Sequence, residues 1–109
     1  EHFRAYVLHE MDLLAEHTDC IWYHMDGSAA KRHLAALCSR PYIRCIQYVP
    51  SCDEPPNGPY HLEFYRQVQR AGRCLDLAAP FEHLEFLVRH LRPEGLIIRT
   101  WVHSVERAD

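Results

Sequence analysis

The residues best suited to chemistry stand together in His24-Met25-Asp26-Gly27-Ser28. An imidazole and a carboxylate two residues apart at a strand end can act as an acid/base pair or as two ligands of a divalent cation. The Gly27-Ser28 helix start presents free backbone N–H groups to an anion, which the charge of Asp26 opposes. A purely structural use competes, with Asp26 capping the next helix and His24 bonded locally. Gln47 interrupts an apolar run, where its amide serves either a ligand or a neighbouring polar group inside the fold. Asp76 and Arg99 also fall inside apolar runs and suit a buried ion pair. Asp53 lies beside Cys52 in a proline-rich loop and is a further ligand candidate. No basic neighbour in sequence lowers the pKa of Cys52, so it is read as inert.

Four alternating helix-and-strand passages position these residues. Phe3, Val7, Met11 and Leu14 give residues 3–17 an amphipathic helical stripe. Cys20 to His24 reads as a buried strand, with turn and cap chemistry at Asp26, Gly27 and Ser28. Ala30, Leu34, Leu37 and Cys38 form the next helical stripe, stopped by Pro41. Arg44 to Val49 is the second strand, and the loop 51–59 follows it. The third helix runs from about Tyr60 to Ala71 with Leu62, Phe64, Tyr65 and Val68 inward, ended by Gly72. Cys74 to Ala79 is the third strand. Pro80 opens a fourth helix carrying Phe81, Leu84, Leu87, Val88 and Leu91, and Leu96 to Val102 is the fourth strand.

Composition narrows the classes. A chain of 109 residues with 48% hydrophobic and 25% charged residues builds one domain, 1–109, around one core. The net charge of -3 and the scattered Lys and Arg argue against nucleic acid. No apolar run is long enough to span a bilayer, so the expectation is no membrane partner and a cytoplasmic protein. Five cysteines without a CxxC pair suit a reducing compartment. Neither GxGxxG nor GxxxxGK occurs, so no nucleotide cofactor is expected.

The order helix-strand four times over requires parallel strands with right-handed crossovers. The fold class is therefore α/β, with four parallel β/α units preceded by an N-terminal helix. An open doubly wound sheet or half of a (βα)8 barrel satisfies this, and the missing glycine-rich phosphate loop weighs against the first. Both outer strands are apolar and aromatic, without the Lys or Pro that discourages pairing. A homodimer that closes an eight-stranded barrel, or a related two-fold sheet dimer, is the expected partner arrangement, with the N-terminal helix of one copy placed to cover the last strand of the other.

Tyr23-His24-Met25-Asp26-Gly27, Arg32-His33-Leu34, Ile46-Gln47-Tyr48-Val49-Pro50, Tyr65-Arg66, Ala71-Gly72 and Pro93-Glu94-Gly95-Leu96-Ile97-Ile98, in that order, resemble the C-terminal half of the uroporphyrinogen decarboxylase superfamily, which includes corrinoid-dependent methyltransferases. The resemblance implies the last four units of a TIM barrel, with any pocket at the C-terminal ends of the strands. In the methyltransferase branch, His and Cys of a His-x-Cys-Gly strand end bind zinc; His24, Asp26 and Gly27 occupy those places. A histidine after the last strand contacts substrate in the decarboxylases, and His103 falls near it. His24, Asp26 and His103 would make a set for Zn²⁺ or another divalent metal, or the catalytic group, with Gln47, Ser28 and Asp53 as ligand contacts. The N-terminal half of such a barrel is missing from this sequence. The reading that follows is a small-molecule-binding domain, paired with a second copy or with a separate N-terminal half-barrel. The alternatives are an active lyase or methyltransferase, and a structural or interaction module with a vestigial site.

Overall fold

Alternating helices and strands build a single four-stranded parallel sheet in the order β1-β2-β3-β4. The structure is a computed structural model and describes residues 1–104 and 106. Helix α1 winds as a π-helix over Phe3–Leu8 and as an α-helix over His9–Ala15. Strand β1 is Ile21–Asp26; α2 begins as a 3-10 turn, Ser28–His33, and continues over Leu34–Cys38. Strand β2 is Ile43–Val49, and α3 is Pro59–His61 followed by Leu62–Arg70. Strand β3 is Cys74–Pro80, α4 is Phe81–His83 followed by Leu84–His90, and β4 is Leu96–Trp101. The expected fold class holds, and the sheet has the neighbour order of a half-barrel. Among the described residues no helix is long and apolar enough to cross a membrane.

Neighbouring parallel strands joined by right-handed crossovers place every helix on the same side of a sheet. The core lies there, with Leu8 and Met11 of α1, Leu34 and Leu37 of α2, Phe64, Tyr65 and Val68 of α3 and Leu87 of α4 packed on Met25, Ile46, Tyr48, Leu75 and Leu77. The opposite face is open, and Trp22, His24, Asp26, Val49, Ala78, Ile97, Arg99 and Trp101 are exposed on it. This explains why β1 alternates in burial where a continuously buried strand was expected. Strand β1 also runs two residues further than expected, so Asp26 belongs to the strand and shares the face of His24.

Two helical expectations need correction. The inward stripe of α1 contains Leu8, fully buried, in place of Val7, and Leu14 is exposed. The wider π-helical winding accounts for the slip, since it brings residues five apart onto one side and so aligns Phe3 with Leu8. In α4, Leu87 and Leu91 are buried while Val88 is exposed, and Pro80 closes β3 at the cap position ahead of the helix. A bidentate contact from Arg40 to Asp12, at 2.8 and 3.1 Å, with Tyr42 bonded to the same carboxylate, ties α1 to the start of β2.

The long β2–α3 loop is held by a buried asparagine. Asn57 donates to the carbonyls of Tyr48 and Ala78 at 3.1 and 3.0 Å, and accepts from the Tyr65 hydroxyl at 2.6 Å. That hydroxyl in turn accepts from the Gly58 amide at 3.1 Å. The His83 ring presses on Gly58, where an added Cβ would lie 2.3 Å from Nδ1, and the same nitrogen bonds the Asn57 carbonyl at 2.9 Å. Gly58→Ala is expected to lower stability by about 1–3 kcal/mol by this clash. Chemical denaturation measures it; a midpoint equal to that of the unaltered protein would contradict the packing described.

Candidate functional site

The open face carries a line of polar side chains across all four strands. His24, Gln47, Asp76 and Ile97 occupy one rung of the sheet. His24 Nδ1 lies 2.6 Å from Gln47 Oε1, Gln47 Nε2 donates to Asp76 Oδ2 at 3.0 Å, and Arg99 donates to Asp76 Oδ1 from Nε at 3.2 Å and Nη2 at 3.0 Å. The Asp76 side chain is 6% exposed and that of Arg99 is 56% exposed. A buried carboxylate needs a paired charge and full hydrogen bonding, and Arg99 with Gln47 supplies both. The expected ion pair is therefore present, with its acid buried and its base at the surface.

The donor pattern sets the direction of the relay. An ionised carboxylate only accepts, so the Gln47 amide must turn its NH2 toward Asp76 and its oxygen toward His24. His24 then donates from Nδ1, and in the neutral ring Nε2 is left with the lone pair. The face thus offers two unlike groups from its outer strands, an imidazole able to accept a proton on β1 and a guanidinium on β4. Gln47 is hydrogen-bonded at both ends of its amide, which is the second of its two expected uses.

The rest of the expected set is dispersed. Asp26 is exposed at the end of β1 and does not cap the following helix, whose cap position is Gly27, with φ 84° and no side-chain cap bond. Ser28 opens that helix and Asp53 is exposed in the loop. His103 is exposed two residues beyond β4, at the far edge of the sheet from β1. Three strand spacings of about 4.8 Å separate the edges by roughly 14 Å, whereas the ligands of one zinc lie about 2 Å from the ion. Among the described residues no three His, Cys, Asp or Glu side chains converge as a metal site. The His24, Asp26, His103 set is not assembled within one chain. Cys45 lies on the relay's face, where burial pushes its thiol up to about 12 and leaves it a protonated filler.

A second polar cluster, on the helix side, was not foreseen. Lys31 Nζ lies 2.9 Å from His61 Nδ1, 3.4 Å from Glu54 Oε1, and over the rings of Tyr48 and Phe64. His61 Nε2 meets the Pro55 carbonyl at 2.8 Å and must donate to it, so Nδ1 accepts from Lys31. Glu54 accepts from the Tyr48 hydroxyl at 2.8 Å and from the Ser51 amide and hydroxyl at 2.8 and 3.0 Å. Four loop or helix-start residues are thereby pinned over the end of β2. Glu54 follows Asp53 in the proline-rich loop, whereas Lys31 and His61 meet through tertiary folding across 30 residues.

No known protein family, curated protein or solved structure matches the chain.

Acid should loosen the loop in two stages. Burial lowers the His61 pKa from 6.5, outweighing the bond to Pro55 that raises it. Burial raises Glu54, but the bonds from Ser51 and Tyr48 and the charge of Lys31 outweigh it and bring the pKa from 4.5 to about 2. Both groups hold protons more weakly folded than unfolded, so stability is complete above 6.5, falls as pH drops below it, and falls again below 4.5. His61→Gln, which can keep both hydrogen bonds, should flatten the first decline and leave the second. Thermal melts across this range check it; an unchanged first decline in the variant would assign it elsewhere.

Proposed function

We propose that the chain is a small-molecule-binding α/β domain of the uroporphyrinogen decarboxylase-like type, with its ligand on the open face of the sheet toward the C-terminal strand ends. The observation that carries this reading is the hydrogen-bonded relay from His24 through Gln47 and Asp76 to Arg99 on a face that no helix covers. A fold has no structural need to bury a carboxylate beneath a surface arginine where apolar side chains would pack at no electrostatic cost. The arrangement does serve recognition, because Asp76 and Gln47 hold the two exposed groups in fixed orientations. The guanidinium can take an acidic group and the imidazole a hydroxyl or a second acid. The sequential strand order supports the superfamily reading, in which this face is the interior of a barrel.

A second reading, an interaction module, draws on the aromatic residues that border the relay. Trp22 and Trp101 are 56% and 49% exposed on the same face, and such residues are enriched where proteins meet. The two readings differ in what the relay binds.

A thermal-shift panel of small mono- and dicarboxylates, hydroxy acids and phosphates at millimolar concentration separates them. Binding at a hundredfold excess over Kd adds about 2.7 kcal/mol, a rise of several degrees in Tm for a domain of this size. At least one compound should raise the Tm of the unaltered protein, and Arg99→Ala should weaken its binding at least tenfold. No shift with any compound, or a shift that Arg99→Ala leaves intact, would remove the binding reading.

A further inference from the structure

We infer that the open face is closed by a second copy of the same chain, offset by four residues at each seam, so that Trp101 stands beside the partner's His24 and Arg99 beside the partner's Trp22. The inference rests on the half-barrel reading above and adds the identity and register of the other half.

The sheet contains its own closing geometry. The rung through Tyr23 passes through Ile46, Leu75 and Leu96. Leu96 begins β4, whereas Tyr23 is the third residue of β1, so β4 lies two residues further along than β1. Successive strands of a closed parallel barrel shift in this stepwise way, and eight strands of shear 8 return to the first strand displaced by eight residues. Two identical halves related by a two-fold axis divide that displacement equally, four residues to each seam. The direction of the observed stagger sets its sign. Trp101 lies two rungs past Asp26, and moving back four brings it level with the partner's His24. Arg99, level with Asp26, comes to the partner's Trp22, and Ile97, level with His24, comes to the partner's Cys20. The opposite sign would set β4 beside the helix that follows β1 and leave both edges unpaired.

The surfaces fit this closure. Trp22, Ile97 and Trp101 are large apolar residues exposed beside the two free edges. An arginine over an indole is a favourable pairing that neither Arg99 nor Trp22 makes among the described residues of one chain. Four strands of about six residues present roughly 400 Å² of open face, about half of what each partner contributes to a stable complex, so the outer layer must supply the rest. It has the means: Leu13 and Leu14 are exposed on α1, the helix that leads into β1, and Leu84 and Val88 line a groove with Leu96 and Ile98 beside β4. Closure also changes the composition of the site. His103, two residues past Trp101, comes level with the partner's Asp26, so residues that one chain holds at opposite edges meet across the seam.

Sedimentation and crosslinking test this directly. The unaltered chain should sediment as a dimer at micromolar concentration. With the exposed Cys20 and Cys52 replaced by serine, the pair Trp101→Cys and His24→Cys should give a covalent dimer on mild oxidation, since neighbouring strands at about 4.8 Å allow a disulfide. Trp101→Cys with Asp26→Cys, two residues out of register, should not. Ile97→Cys alone, with the natural Cys20 kept, is a second seam pair should the double variant fail to fold. A monomer overturns closure by a second copy and directs the search to a separate half-barrel. A dimer that crosslinks at Asp26→Cys, or at neither position, overturns the register. Crosslinking reads assembly and the thermal-shift panel reads ligand binding, so either can fail without the other.

Discussion

The handedness of the strand connections is the constraint on which everything else depends. Each right-handed crossover to an adjacent strand delivers its helix to the same side, so the three in succession, with α1 packed into the same core, cover one face and leave the other bare. A sheet that reversed its strand order midway would have placed helices on both sides and hidden the relay under one of them. The single-sided core also explains the burial pattern, in which Met25, Tyr48 and Leu77 share a covered rung while the next rung back holds His24, Gln47 and Asp76.

The two polar clusters differ in what they do for the fold. On the helix side, Lys31, Glu54 and His61 hold a proline-rich loop against the end of β2, and each group has a partner that fits its ordinary neutral-pH charge. On the open face, Asp76 is buried by its neighbours in the strands, and Arg99 reaches out toward solvent to compensate it. Buried polar networks are stable only when every member is satisfied, and both clusters meet that condition. The first spends its directionality on the loop. The second ends in two groups with unused capacity.

Much of the architecture was legible in the residue pattern. Every strand and helix was found within a few residues, because period-2 and period-3.6 apolar spacing is a local signal, and Asp76 with Arg99 stood out as charges inside apolar runs. The end of β1 was misplaced because Asp26 and Gly27 carry turn chemistry that the sheet overrode by pairing Asp26 with Val49. The stripe of α1 was shifted by one because winding is not written in spacing alone. His24 and Gln47 were each singled out, but their contact depends on strand register, and Lys31 with His61 depends on how two helix starts meet. His103 entered by resemblance alone, and a single chain keeps it apart from His24 and Asp26.

The Gln47 amide has a further property. Its two ends are chemically opposite, and it keeps its orientation only because Asp76 is an anion that cannot donate. With Asp76→Asn the side chain could donate as well as accept, and the Gln47 amide would be free to turn over. In the neutral ring His24 would then accept at Nδ1 and carry its hydrogen at Nε2, so the exposed nitrogen would change from acceptor to donor. The relay thus makes the side chain at position 76 decide which hydrogen-bonding character the sheet presents two strands away, at His24.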